Sequence, residues 1–308
     1  MTALERNQLR FTVMSLVPPL MLFTFWIALP SAKAFYFALT KWDGLSEPEF
    51  IGPGHLASIA TLQDPLVQTA VKNNLILMVV PAMLILSLAL FFASVIRSGL
   101  RGGSLFRVTF FFPNILSAVA ISVLWMLLYS TSGFGVFNNF LEWFNQSLIG
   151  LGARSEPLLK VPFAFTDSSI LVWSIVPMMV WTATGFYMLL FFASMQSIPE
   201  SLYEAARVDG ASTFSQFWHI TLPMIRDTVV TGLVFLIIAG LKIFDQIWVI
   251  EQQQARPDSN TLTTLMYSKI FTEYRVGYGT AIAVVLFLVI LGFTLATFKL
   301  YRKEALEY

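Results

Sequence analysis

Apolar residues fall into six long blocks, at about 12–38, 73–96, 106–129, 169–193, 228–250 and 279–300. Each is long enough for a helix of about 20 mostly apolar residues to cross the hydrocarbon core of a bilayer. Hydrophilic stretches separate them at 39–72, 97–105, 130–168, 194–227 and 251–278. The pattern predicts an all-α polytopic membrane protein with six transmembrane helices in a single domain spanning 1–308. One stretch breaks the rule of apolar block and polar loop. Residues 197–226 are amphipathic over their whole length. Pro199 suits a first helical turn, where its missing N–H costs nothing. Ser201 and Glu204 have capping-box spacing, and Leu202, Ala205, Ala206 and Val208 form a modest apolar stripe. Gly210 fits a C-terminal stop. Ser212 or Thr213 can then cap a second short helix containing Phe214, Phe217 and Trp218, which Pro223 ends or turns.

Composition agrees with the pattern. Of 308 residues, 56% are hydrophobic and 12% charged, against about 25% charged in an ordinary soluble domain. The 29 Phe and 8 Trp suit lipid-facing surfaces and interfacial belts. With no Cys, disulfides, thiolate metal sites and cysteine nucleophiles are excluded. A net charge of +1 without any basic block argues against a nucleic-acid partner. The first apolar block is too long for a signal-peptide core, so it is expected to be a retained span.

Orientation follows from Lys and Arg in short loops and flanks. The loop carrying Arg97, Arg101 and Arg107 has no acidic residue. Together with Arg6, Arg10, Arg207, Arg226, Lys299, Arg302 and Lys303 it sets the cytoplasmic side. Lys41, Lys72, Arg154, Lys160, Arg256, Lys269 and Arg275 are left outside. Both termini and segment 197–226 are then expected in the cytoplasm. His55 and His219 fall on opposite sides and cannot share a metal. No phosphate-binding G-x-x-x-x-G-K-[ST] motif, no H-E-x-x-H and no paired carboxylates occur, so no catalytic residue, metal or cofactor is assigned to this chain.

Polar groups inside the apolar blocks are the candidates for a solute path, because intramembrane ionisable residues usually face cavities or partners. Lys242 and Asp245 lie three apart and are expected on one face of the fifth span. They line a pathway or pair with each other. Asn114, next to Pro113 in the third block, lines a pathway or bonds a neighbouring helix. Trp125, Trp181, Tyr187, Phe244 and Trp248 offer ring faces to a solute, or pack against lipid and core.

Segment 197–226 also carries a resemblance. Glu204-Ala205-Ala206, Asp209-Gly210 and Ile220-x-Leu222-Pro223 look like the EAA loop of ABC importer permeases. The first outer loop is similar to the sugar-importer branch, near the larger maltose-permease subunit, through Trp42-Asp43-Gly44, Phe50-Ile51-Gly52, Asp64-Pro65 and Asn73 or Asn74. Arg107, Pro113, Trp125, Gly133 or Gly135 and Asn138 continue the likeness, as does Phe244-Asp245-x-Ile247-x-Val249. After Val249 the text IEQQQARPDSNTLTT departs from the family pattern. The resemblance implies a type I ABC importer permease fold in a bacterial or archaeal plasma membrane. It implies a second homologous permease subunit, a dimer of ATPase subunits that use ATP and Mg, and an extracytoplasmic solute-binding protein. It further implies that Glu204, Ala205, Ala206, Asp209, Gly210, Ile220, Leu222 and Pro223 dock on the ATPase. A sugar is the implied solute; glycerol phosphate esters, polyamines or amino acids on the same machine are alternatives. A proton-coupled secondary transporter using Asp245, or a purely structural subunit, would leave 197–223 unexplained.

Overall fold

The structure, a computed structural model, describes residues 3–99, 101–151 and 156–301, with side chains between 11 and 299. Arg154, Arg302 and Lys303 therefore lie outside the described residues, as do the side chains of Arg6 and Arg10. The described chain is helical apart from one short strand pair. In order come α1 (Ala3–Phe23), a π turn (Thr24–Ala28), α2 (Leu29–Phe37), β1 (Thr40–Lys41), β2 (Glu49–Phe50) and α3 (Gly54–Ala60). Next are α4 (Pro65–Arg97), α5 (Gly103–Ile115), α6 (Ala118–Leu128), α7 (Val136–Gly150) and α8 (Leu171–Gln196). Then follow α9 (Glu200–Val208), α10 (Thr213–Gln216), a second π turn (Phe217–Thr221), α11 (Leu222–Met224), α12 (Arg226–Leu241) and α13 (Asp245–Ile250). The chain closes with α14 (Leu262–Tyr267), a third π turn (Ser268–Thr272) and α15 (Val276–Tyr301). Five stretches are long and apolar enough to cross a membrane, and the bent pair α5–α6 makes up to a sixth. Two compact units result, one of residues 3–64 and 266–288, the other of 65–265 and 289–301.

In the first unit, β1 and β2 pair antiparallel with Thr40 opposite Phe50 and Lys41 opposite Glu49. Trp42 is half-buried. It stacks on Phe37 at 4.3 Å and its indole N–H donates to the Ser46 carbonyl at 2.6 Å. The Asp43 carboxylate accepts from the Ser46 and Leu45 N–H groups, and these bonds, Ser46 first, hold its pKa down at about 2. Gly277 is needed where α15 starts, because a Cβ there would meet the Thr40 carbonyl oxygen at 2.0 Å.

The second unit is built on α8. It packs along α4 and against α5, while α12 packs along α4. One apolar cluster joins Ile85, Ala89, Met188, Phe191, Met195, Ile225 and Leu236. Another joins Leu77, Trp125, Leu171, Ile175, Ile243 and Ile247. Glycines set the closest crossings. A Cβ on Gly185 would sit 1.9 Å from the Phe110 carbonyl oxygen, and one on Gly240 2.6 Å from that of Leu77. Small residues at such crossings let backbones approach where no hydrophobic force separates helix from lipid. Segment 130–168 contains the amphipathic α7, pinned by two side chains seven residues apart. Asn138 bonds the backbone of Ser130 and Phe163, and Asn145 that of Leu158 and Leu159.

Three expectations are corrected. The third span, expected over 106–129 with Pro113 able to kink it, bends by 99° between α5 and α6. The break follows Ile115 rather than Pro113, because Leu116 and Ser117 are both extended and the Ser117 hydroxyl caps α6 at the Ala120 N–H. The fifth span is likewise interrupted at Lys242–Phe244. Lys242 closes α12 and Asp245 opens α13, so they do not share a helical face, and among the described residues no ion pair joins them. Finally, Ser201 and Glu204 form no capping box. Pro199 itself is the residue before the first turn, with extended ψ and no side-chain cap.

The break in the fifth span is held by polar side chains from elsewhere. Asn74 on α4 donates to the Gly240 and Leu241 carbonyls, both at 3.1 Å, and accepts from the Leu262 N–H at 2.8 Å. Thr261 donates to the Ile243 carbonyl at 3.2 Å, and Thr263 bonds the same oxygen. Asn73 donates to the Asp258 and Asn260 carbonyls at 2.9 and 2.8 Å. The loop beyond Val249 is thus ordered. Buried Glu251 accepts from Ser259 and from the Arg256 N–H; burial still raises its pKa, with those bonds opposing.

Asn74→Asp keeps the side-chain shape but removes both donor bonds at the break. Two buried carbonyls without partners predict a loss of about 2–4 kcal/mol, read as a lowered thermal midpoint in detergent. Gly185→Val is expected to be worse than Val180→Ala on the same helix, since backbone rather than a flexible side chain blocks the added atoms.

Candidate functional site

Two places in the second unit gather the candidate residues. The first is segment 197–226. Of α9, only Tyr203 is buried. Leu202 and Val208 stay 42% and 88% exposed, and beyond them Phe214 and Trp218 stay 73% and 50% exposed. This apolar stripe on a short segment is left outside the protein's own core. Glu204 and Ala205 are exposed with it.

Backbone chemistry shapes this surface. Gly210 has φ +78°, a left-handed conformation that closes α9 with bonds from the Gly210 N–H to Arg207 and the Ala211 N–H to Ala206. Ser212 then caps α10, accepting from the Ser215 N–H at 3.2 Å, as the spacing predicted. Pro223 has no N–H to offer the preceding turn. The turn before it widens into a π turn, in which the Leu222 N–H reaches the Phe217 carbonyl. The chain then continues into α12 rather than leaving the segment.

Tyr203 anchors the segment from its inner side. Its hydroxyl is 2.8 Å from Thr221 Oγ1 and accepts from Arg97 at the last turn of α4. The Arg97 guanidinium also lies 4.0 Å from the ring centroid and 3.8 Å from Glu200, which Arg207 meets at 3.2 Å. Around these groups is a cavity of about 470 Å³, closed off by Ser94, Met195 and Gln216 among others.

The second place is the break in the fifth span. A cavity of about 430 Å³ is lined there by Tyr187, Phe235, Lys242, Phe244, Asp245 and Gln246, with Thr182 and Met179 from α8. A smaller cavity of about 170 Å³ shares Met179, Thr182 and Gln246 and adds Asn114 from the end of α5. Both helix breaks therefore open onto the same wall of α8. Tyr187, Phe244, Asp245 and Asn114 are brought together. Trp125, Trp181 and Trp248 line neither cavity. Trp125 is 6% exposed in the aromatic cluster with Tyr129 and Phe137, and its indole N–H lacks a partner. Trp181 lies 6.2 Å from Trp125, and Trp248 stacks on Phe244 at 5.5 Å.

Sequence reasoning missed Thr182, Gln246 and the pair Arg97–Tyr203. Thr182 and Gln246 are ordinary polar residues until two breaks place them on one cavity. Arg97 served only as a sign of orientation. The spacing of Tyr203, between Leu202 and Glu204 on a helix whose other residues are exposed, held the only available signal.

Comparison with known proteins adds the following. Residues 74–302 match the family described as "binding-protein-dependent transport system inner membrane component". The diacetylchitobiose uptake system permease of Streptomyces coelicolor is 30% identical, with 96% of this chain and 83% of that protein covered. The multiple sugar-binding transport system permease of Streptococcus mutans is 27% identical, with 94% of each covered. Among solved structures, a chain of a bacterial alginate ABC transporter, in complex with a periplasmic protein holding an alginate pentasaccharide, superposes with a TM-score of 0.75 at 22% identity. That alignment covers 97% of this chain and 95% of the other.

The geometry at Gly210 predicts a graded response. Gly210→Ala meets open space and costs only the left-handed backbone, about 1 kcal/mol. Gly210→Pro cannot reach a positive φ and should unfold the turn between α9 and α10. Limited proteolysis at 207–213 in detergent, expected to rise slightly in the first variant and strongly in the second, checks this.

Proposed function

We propose a transport function on the premise that the chain belongs to the family of binding-protein-dependent transport system inner membrane components. As a member it is the membrane-spanning permease component of an ABC importer, a multi-pass protein of the plasma membrane and not a catalytic enzyme. Its solute is a sugar or sugar-like molecule, received from an extracytoplasmic binding protein. The observation that carries the solute reading is the cavity at the interrupted fifth span. It sets the Phe244 ring beside the Gln246 amide, the Thr182 hydroxyl, a cation and a carboxylate. Stacking on an apolar sugar face and several directed hydrogen bonds to hydroxyls are what a polyol needs, and an apolar cavity with few polar groups supplies both. The names of the two permease relatives point the same way.

In this proposal energy enters from outside the chain. A dimer of ATPase subunits, using ATP and Mg, docks on the exposed face of 204–223, with Glu204 in polar contact, Ala205 and Ala206 allowing close approach and Leu202, Val208, Phe214 and Trp218 supplying apolar area. Closure of the ATPases shifts the segment as a body. The spans rock about the cavity and alternate its access between the two sides. A second, similar permease subunit completes the pathway. Both termini are cytoplasmic, on the side where 197–226 meets the ATPases.

The test is reconstitution in liposomes with the partner subunits and the loaded binding protein. ATP-dependent uptake of a sugar is expected. Glu204→Lys, which reverses a charge on the docking face, should lower it at least about tenfold. Phe244→Ala and Gln246→Ala should weaken uptake while ATPase docking persists. Uptake that proceeds without ATP, or that is untouched by Glu204→Lys, counts against the proposal.

A further inference from the structure

Segment 197–226 must pass its movement to the cavity. It runs directly into α8 and α12 and packs on the core through Ile198 and Ile225, and its polar contacts show a further route. The inner side of α9 reaches the rest of the protein through a single buried side chain, Tyr203. Its phenol ties together both limbs of the segment, because the hydroxyl bonds Thr221 in the π turn before Pro223. The same phenol is gripped twice by Arg97, through the ring face at 4.0 Å and through the hydroxyl. Arg97 is the last residue of α4. That helix runs 33 residues, with Pro81 inside it. From Arg97 back to Asn74 it spans roughly 35 Å at 1.5 Å per residue. At that far end Asn74 holds the Gly240 and Leu241 carbonyls, immediately before Lys242 and Phe244 in the cavity wall. One helix therefore has the docking segment at one end and the broken span at the other.

We propose that Arg97 is a positioning residue that transmits displacement of the coupling segment into α4, and that α4 delivers it through Asn74 to the break in the fifth span. A planar guanidinium suits the task. It stacks on the ring and donates in its own plane at once, so it resists both sliding and tilting of Tyr203, which a lysine ammonium cannot do. Glu200, 3.8 Å away and mostly exposed, adds little to the hold. Only 19% of the Arg97 side chain is exposed, so solvent screens the contact less than it does the exposed Glu200 pair. The idea rests on the importer function above and adds the internal route by which docking reaches the solute.

The test uses the complete importer in liposomes and reads solute taken up per ATP hydrolysed. Arg97→Ala is expected to assemble with the ATPase subunits and to hydrolyse ATP, while uptake per ATP falls about tenfold. Arg97→Lys should recover less than half of the ratio. Tyr203→Phe, which keeps the ring and loses the hydroxyl, should fall between wild type and Arg97→Ala. The double variant should be no worse than Arg97→Ala alone, the signature of one shared contact. A wild-type ratio in Arg97→Ala overturns the proposal, and so do additive losses in the double variant. If Arg97→Ala fails to assemble while Arg97→Lys restores assembly together with full uptake, Arg97 acts only in stability and the proposal is likewise overturned. Absence of ATP-driven uptake in the wild type removes the importer reading itself, an outcome distinct from the others.

Discussion

A helix that stops inside a bilayer leaves carbonyls and N–H groups with no water to turn to, and each must find a partner within the protein. This requirement governs the second unit. The fifth span stops at Lys242 and restarts at Asp245. The carbonyls freed at Gly240, Leu241 and Ile243 are taken by Asn74, Thr261 and Thr263. Because those partners come from α4 and from the loop after α13, the break also fastens the loop to the helix bundle. A mostly apolar cavity with a few polar groups is the by-product. Irregular backbone at membrane depth is tolerated where it lines such a space.

Close packing completes the arrangement. Gly185 and Gly240 bring α8 against α5 and α12 against α4 at backbone contact. These crossings place Met179, Thr182 and Tyr187 of α8 opposite the residues around the break. Without side-chain bulk at the crossings, the α8 wall and the broken span face each other across a cavity of about 430 Å³.

Segment 197–226 follows a different logic. Leu202 and Val208 of α9, with Phe214 and Trp218, are turned outward, while Ile198 and Ile225 at the segment's two ends are buried and Phe217, Ile220 and Met224 pack against the same core. On α9 itself the one buried side chain is a tyrosine held by an arginine, which adds a directional hold to that apolar packing. The cation over a ring, combined with a hydrogen bond to the same phenol, is such a hold.

Much of this was legible in the residues. Six apolar blocks, the amphipathic interval between the fourth and fifth, the stop at Gly210 and the cap at Ser212 depend on local pattern and backbone chemistry, which neighbours in sequence determine. The densely spaced motif over 204–223 was legible for the same reason. What the sequence could not settle were the two breaks. Leu116-Ser117 and Lys242–Phe244 contain no glycine or proline at the point of interruption, and LKIFDQIWVI continues a helical pattern through it. Helix there is lost because Asn74, Thr261 and Thr263, distant in sequence, offer the freed carbonyls better-placed partners than the next turn does. The expected Lys242–Asp245 face vanished with the helix, and Arg97, a mere charge in the linear text, became the grip on Tyr203. Local propensity set the elements, and the local Ser117 cap starts α6 after the first break; long-range hydrogen bonds in a medium without water decided where the fifth span breaks and so where its cavity lies.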